Sequence, residues 1–251
     1  MIRKLFLFLL LLAASTFALA KHTKHIEQKQ NTVTATSWLV ADETGKIIKS
    51  QNTQEVRSIA SISKLMTVMV VMDAKQDLDE QIGKYTRREH IQLALIKSDN
   101  VSAALLCDKY PGGKNVCVEA MNFKAQMLYM PNTHFVEATG LSVFNVSTAD
   151  ELINLVQEAT KYPIIVEAGH TSTAKIRVKK KWFVFHNTNP LIGYKQNVII
   201  SKTGYIRASG GCLVMMTDSE VGRRILVLLG SKNTRTRIPE AEIILRQALE
   251  E

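Results

Sequence analysis

The strongest constraint on the fold is a change of hydrophobic period that happens twice along the chain. Residues 32–40 are rich in β-branched and apolar types, Asp42-Glu43-Thr44-Gly45 supplies a turn, and residues 46–49 resume an extended pattern, which predicts a hairpin. From Ser61 the period becomes helical. Ile62, Leu65, Met66, Met69, Val70 and Met72 recur at helical spacings, with no breaker until the polar segment after Lys75. Further helices are expected at 88–96, 101–109, 116–129 and 148–161. The last has Ser147 as a natural N-cap and Asp150 and Glu151 in its first turn, where carboxylates favour the positive helix end. After Pro163 the pattern reverts to strands, at 175–179, 182–185, 197–202, 211–216 and 224–230, before a final amphipathic helix from about Pro239 to Leu249. This order predicts an α+β fold: an antiparallel sheet packed with helices, plus an inserted all-helical lobe between its strands. No Pro/Gly/Ser linker and no internal repeat interrupts the pattern, so a single two-lobed unit is expected.

Composition agrees with a real core. Of the 251 residues 46% are hydrophobic, and 12 Gly with 5 Pro exclude a collagen-like repeat or a disordered tail. The formal charge of +9 is diffuse and favours an anionic partner over a cationic one. An aromatic content of 6% argues against a stacking platform for single-stranded nucleic acid, and no nucleic-acid partner is expected.

Residues 1–20, MIRKLFLFLLLLAASTFALA, carry Arg3 and Lys4 before an apolar run and end in Ala18-Leu19-Ala20, an A-x-A cleavage signature. They read as a secretory signal peptide, the alternative being an uncleaved N-terminal anchor, for which the apolar stretch Leu5 to Ala14 is short; cleavage leaves residues 21–251 as one exported domain with no membrane anchor, because no later stretch is long and apolar enough to span a bilayer. Residues 21–31 read as a polar tail, in which the metal-like spacing of His22 and His25 has no companion ligand. His90, His134, His170 and His186 form no ligand spacing either, so no metal or cofactor is expected. Cys107 and Cys117 flank the turn-forming segment 108–113. An oxidising compartment permits a disulfide there, while the sequence does not show whether the two Cβ vectors converge. Cys212 sits in an apolar run and reads as a small core residue.

Three short strings bear on chemistry: Ser61-Ile62-Ser63-Lys64, Ser98-Asp99-Asn100 and Lys202-Thr203-Gly204. A second S-x-x-K, Ser172 to Lys175, lies in a charged β-type segment and follows the S-D-N string, which is the wrong order. A serine at a helix start with a lysine three residues on puts both side chains on one face within hydrogen-bond reach, which suits a nucleophile and its base. For Lys64 to accept the proton of Ser61, its amine must be depressed by burial and by a nearby positive charge, for which Lys202 is the candidate. Ser98 would bridge the two lysines and pass the proton to a leaving amine, and Asn100 would hold Lys64 and a substrate carbonyl. Thr203 offers a hydroxyl to a substrate carboxylate, and Gly204 clears space for a peptide lying close to the strand.

The S-x-x-K, S-D-N and K-T-G set is the signature of penicillin-binding proteins and class A β-lactamases. Residues 58–67, Tyr110-Pro111-Gly112-Gly113, Thr139-Gly140-Leu141-Ser142, 145–149 and Lys202-Thr203-Gly204-Tyr205 extend the match. With the flanking strands it runs from about residue 33 to 230, and the chain resembles the low-molecular-mass penicillin-binding proteins of the D-alanyl-D-alanine endopeptidase type. The resemblance implies a β-lactamase/D,D-peptidase-like fold in a bacterial periplasm. It also implies a serine peptidase that cuts D-alanyl linkages in peptidoglycan peptide stems through an acyl-enzyme on Ser61, with β-lactam antibiotics as covalent inhibitors. In the family pattern the oxyanion hole is formed by the backbone N–H groups of Ser61 and Tyr205. Ser63 stands where the family usually has Thr, and Ala138 replaces the proline before Thr-Gly-Leu, which is expected to loosen that loop. The chain ends soon after its last strand and helix, without the extra β-domain of the membrane-anchored carboxypeptidases, so the endopeptidase branch fits better. The alternatives are a D-alanyl-D-alanine carboxypeptidase, a catalytically silent peptidoglycan-binding module, and a β-lactamase, for which no glutamate is evident near Ser61 to activate water. The basic cluster Lys175, Arg177, Lys179, Lys180 and Lys181 reads first as a solvated edge strand that blocks aggregation, and second as a surface attracted to acidic stems.

Overall fold

A computed structural model of the chain describes residues 32–193 and 197–249. The expected leader at 1–20 and the polar tail with His22 and His25 lie outside the described residues. Contacts divide the chain into two units, Met1–Val33 and Thr34–Glu251, and the second holds every strand and helix of the described residues.

Its centre is a five-stranded antiparallel sheet built from β1 (Ser37–Asp42), β2 (Ile47–Gln51), β9 (Asn197–Ile206), β10 (Gly210–Asp218) and β11 (Arg224–Ser231), in the order β2-β1-β11-β10-β9. The predicted N-terminal hairpin is β1 and β2. Its neighbour β11 comes from the far end of the chain, with Leu39 opposite Val227 and Ala41 opposite Ile225. The side-chain period of two then splits the sheet. Leu39, Ala41, Val214, Met216, Ile225, Val227 and Leu229 join the main apolar cluster with the helical lobe. The C-terminal helix contacts β11, β10 and β1 and buries Ala241, Ile243, Ile244, Leu245 and Ala248. Strand β11 is almost wholly buried, as a strand covered on both faces must be.

Between β2 and β9 lie the short strands β3 (Arg57–Ser58), β4 (Gln81–Ile82), β5 (Tyr85–Thr86) and β6 (Val146–Ser147) and six helices: α1 (Ser63–Asp73), α2 (Arg87–Gln92), α3 (Asn100–Asp108), α4 (Gly113–Met127), α5 (Ala149–Ala159) and α6 (Pro163–His170). Helix α1 is buried along nearly its whole length, which explains why its apolar residues surround it and leave no polar stripe. The final helix is α7 (Arg237–Leu249). The inserted helical lobe is therefore present, and the fold is the α+β arrangement expected.

Three details differ from expectation. Thr148, and not Ser147, caps α5: its hydroxyl accepts the Glu151 N–H at 3.2 Å, while Ser147 pairs in β6 and shares a hydrogen bond of 2.7 Å with Thr133. Residues after Pro163 form helix α6 before the strands resume; Pro at the first helical position pre-sets φ, and the β-branched run Ile-Ile-Val concealed it. The basic cluster belongs to a separate two-stranded hairpin, β7 (Thr173–Val178) and β8 (Lys181–His186), and is not an edge of the main sheet. Cys107 and Cys117 form a disulfide across a Cα separation of 5.4 Å that ties the end of α3 to the start of α4. Cys212 is free and fully buried in β10. Among the described residues no helix is long and apolar enough to cross a membrane.

Candidate active site

Three separate segments converge beside the N-terminus of α1. The first is a short 3-10 turn, Ala60–Ile62, that leads directly into α1 and carries Ser61. Ala60 adopts a left-handed conformation with φ of 48°, uncommon for a residue with a Cβ and costly unless its surroundings enforce it. Two contacts do so. The Ser63 hydroxyl donates to the Ala60 carbonyl at 2.8 Å, and Gly140 lies so close that a Cβ there would sit 2.0 Å from the same oxygen. The Ser63 hydroxyl also accepts from Asn145 Nδ2 at 3.0 Å.

The second segment is the S-D-N string at the foot of the helical lobe. A π-helical turn, Leu93–Lys97, ends at Ser98 in the left-handed region with φ of 59°, and Asp99 then caps α3 by accepting the Ser102 N–H at 2.8 Å. The reversal presents Asn100 toward Lys64 and Ser98 toward Lys202. The third is the K-T-G string on β9, where Lys202 lies opposite Val214 and Gly204 opposite Cys212. A Cβ on Gly204 would come within 2.9 Å of the Ile59 carbonyl oxygen and 3.1 Å of the Ser61 nitrogen, so glycine lets β9 abut the Ser61 turn.

The Lys64 ammonium is fully buried. It donates to Ser61 Oγ at 2.8 Å, to Asn100 Oδ1 at 2.7 Å and to the backbone carbonyl of Thr139. Lys202 is also buried and donates to Ser98 Oγ and to its neighbour's carbonyl, Thr203 O, both at 2.9 Å. Ser98 therefore holds Lys202 and does not bridge the two lysines as expected; the Thr139 carbonyl takes the remaining bond of Lys64. Thr203 Oγ1 donates to Thr188 Oγ1 at 2.6 Å, and Tyr205 is half exposed at the rim.

Burial sets the protonation of both amines. It pulls Lys64 down to about 8, against the opposing attraction of Glu137 and Asp99. It holds Lys202 well below the usual lysine range, helped by the positive charges of Lys64 and Arg237. The repulsion expected to depress Lys64 thus acts mainly on Lys202, whose two hydrogen-bond acceptors are both neutral.

Residues without an expected role also shape the site. Glu137 accepts from the Thr139 N–H at 2.5 Å, the Gly140 N–H at 2.6 Å and the Ser142 N–H at 3.3 Å. Asn145 accepts the Val136 N–H at 2.9 Å and donates to the Glu137 carbonyl at 2.8 Å, while Thr67 Oγ1 donates to the Ala138 carbonyl at 2.8 Å. This network fixes the 137–142 loop that proline was expected to stiffen, and it aims the Thr139 carbonyl at Lys64. The strings 139–142 and 145–149 marked the region, but an acceptor on the backbone leaves no side-chain signal. Arg237, at the start of α7, donates to the Gly204 carbonyl at 2.9 Å; nothing in its local sequence singles it out. Replacing Glu137 with Gln removes the negative charge that opposes deprotonation of Lys64, so the apparent pKa of Lys64 is expected to fall. A titration of the Lys64 amine whose midpoint is the same in the variant as in the native protein would contradict this.

A profile of the D-alanyl-D-alanine carboxypeptidase family, peptidase S11, matches residues 23–82 and 76–233, which together span most of the chain. The chain belongs to this family. The S11 peptidase is 38% identical over 264 residues to a D-alanyl-D-alanine endopeptidase of Pseudomonas aeruginosa, covering 96% of this chain and 85% of the relative. It is 40% identical over 225 residues to a D-alanyl-D-alanine endopeptidase of Escherichia coli, covering 80% and 72%. Among solved structures it resembles penicillin-binding protein D2 of Listeria monocytogenes in its cefotaxime-bound form, with a TM-score of 0.77, 25% identity and coverage of 87% and 98%. The antiparallel sheet and inserted helical lobe are thus those of a penicillin-binding D,D-peptidase. Among the described residues no cluster of metal-binding side chains accompanies the S11 site.

Proposed function

We propose that this S11 peptidase is an exported D-alanyl-D-alanine endopeptidase that hydrolyses D-alanyl cross-links in peptidoglycan, with Ser61 as nucleophile and Lys64 as its base. The observation that carries the reading is the buried Lys64 amine, 2.8 Å from Ser61 Oγ and lowered to about 8, so that a useful fraction is neutral and able to accept a proton near physiological pH. In the first step Ser61 Oγ attacks the D-alanyl carbonyl carbon and gives its proton to Lys64. The oxyanion is received by the Ser61 and Tyr205 backbone N–H groups. Collapse breaks the C–N bond as the Ser98 hydroxyl gives its proton to the leaving amine, and the Lys202 ammonium, hydrogen-bonded to Ser98, replaces that proton and becomes neutral. A water then attacks the acyl carbonyl carbon while its proton passes through Ser98 to the neutral Lys202 amine, and Lys64 returns its proton to Ser61 Oγ as the ester C–O bond breaks and the acid product departs.

Asn100 positions Lys64 and the substrate amide. Thr203 and Lys202 receive the substrate's terminal carboxylate, whose negative charge raises the affinity of Lys202 for its proton. In this reading residues 1–20 are a leader that directs the enzyme to the periplasm and residues 21–251 are the working domain. β-Lactams act as substrate mimics that acylate Ser61. The endopeptidase reading is supported by the names of the two relatives, and the carboxypeptidase reading by the family's own description. Glu137 lies near Lys64, but both of its oxygens are occupied by backbone N–H groups, which disfavours a water-activating role of the β-lactamase kind.

A labelled penicillin should form a covalent adduct with the native protein and none with Ser61→Ala; equal labelling of both would sink the assignment. Defined muropeptides separate the branches, because an endopeptidase splits cross-linked dimers while a carboxypeptidase only trims a terminal D-alanine. Rapid turnover of a chromogenic cephalosporin would instead indicate a β-lactamase, and wall binding without any cleavage a silent module.

A further inference from the structure

No acidic residue occurs between Glu167 and Asp218, a stretch that contains the whole β7–β8 hairpin. Lys175 and Arg177 lie on β7, Lys179, Lys180 and Lys181 make its tip, and all five are exposed or partly so. No ion pair among the described residues engages them. The ladder register sorts the rest. Ala174 and Ile176 face inward and are buried, whereas Lys175 stands opposite Val184 and Arg177 opposite Trp182 on the outward face. Trp182 is 65% exposed and Val184 50%, and the Arg177 guanidinium stacks 5.9 Å from the Trp182 ring centre. Each apolar side chain therefore sits beside a cation.

The hairpin is mounted on the active site. The chain leaves β8 and places Thr188, whose N–H donates to the Ile96 carbonyl at 3.1 Å and whose hydroxyl accepts from Thr203. Lys97, adjacent to Ser98, lies 5.1 Å from the Phe185 ring.

We infer that the outward face of β7–β8, centred on Lys175, Arg177, Trp182 and Val184, is a docking surface for the carboxylate-bearing peptide stems of polymeric peptidoglycan. The inference rests on the proposed function and names where that polymer is held outside the cleavage site. A face that alternates cations with an aromatic and an aliphatic side chain matches a chain of carboxylates interspersed with apolar side chains, because Arg and Trp are the residue types that supply anchoring energy at interfaces. A bilayer fits less well, since the tip that would have to enter it is Lys179-Lys180-Lys181. Binding a second part of the same polymer also raises the effective concentration of the scissile bond at Ser61.

The test compares proteins carrying Ser61→Ala, so that nothing is digested, by sedimentation with purified sacculi, with sacculi stripped of peptide stems, and with vesicles of anionic phospholipid. The double variant Lys175→Glu/Arg177→Glu and the single variant Trp182→Ser should each lose sacculus binding by about tenfold or more. With Ser61 restored, both should keep the native rate of penicillin acylation and of soluble dimer cleavage. Retained sacculus binding in the variants, undiminished binding to stripped glycan, or binding to vesicles alone would overturn the inference. So would a parallel loss of acylation, which would make the hairpin a support for the site. If the native protein sediments but is never acylated, the proposed chemistry fails while the surface stands.

Discussion

Lys64→Met will leave Ser61 and the fold in place and lower the rate of acylation by a labelled penicillin about a thousandfold, the scale expected for loss of a positioned general base. Methionine fills most of the lysine's volume in a fully buried position, so packing is preserved while the proton acceptor is lost. The native enzyme should show the complementary pH dependence. Lys64 is lowered to about 8, and only its neutral form accepts the Ser61 proton, so the acylation rate should rise with pH and level off above about 8. The variant should lack that limb, because the group that titrates is gone. A residual rate within tenfold of native, or an unchanged alkaline limb in the variant, would remove Lys64 from the role of base.

Gly140→Ala tests the loop that clamps the Ser61 turn. Gly140 has φ of 78°, a conformation that disfavours a side chain, and its Cβ would lie 2.0 Å from the Ala60 carbonyl oxygen and 2.7 Å from the Ser61 nitrogen. Both are backbone atoms, so no side chain can swing aside, and Ala60 is itself left-handed and held in place. Destabilisation of about 3 kcal/mol is expected from backbone strain combined with overpacking. For a unit of this size that corresponds to a fall in melting temperature of about 10 °C. Penicillin acylation should drop as well, because relief of the clash must move either the Thr139 carbonyl or Ser61. A variant that melts within a degree or two of native with full acylation would show that the loop yields freely.

The parts of the fold that could be read from sequence are those in which periodicity and burial agree. The β1–β2 hairpin, the helical block and the closing strands were marked by changes of period, and their cores are where those patterns placed them. Helix α6 was hidden because Ile-Ile-Val has the composition of a strand, and packing against β9 and the π-helical turn 93–97 favours the helix that Pro163 starts. The boundary at Ser147 and Thr148 was ambiguous because both hydroxyls are able to cap; pairing of Ser147 in β6 settles it. The side chains of the site were legible because its serines, lysines and asparagine fall in short strings of fixed internal spacing. The Thr139 carbonyl, the three N–H groups gathered by Glu137, and the reach of Arg237 to Gly204 were not. They depend on backbone direction and on contacts between distant segments, which residue identity does not encode locally.

The position of β11 between β1 and β10 has a consequence for the life of the chain before it is finished. Until residues 224–231 emerge, β1 and β2 are an isolated hairpin, a structure of marginal stability in water, and the third segment of the site has no complete sheet behind it. Ser61 and Lys64 are made early and Lys202 late, so the growing chain carries the proposed nucleophile for most of its synthesis without the third segment of the site. Reactivity toward penicillin is therefore expected only once the last strand has closed the sheet. The same covalent label that tests the chemistry also reports completed folding.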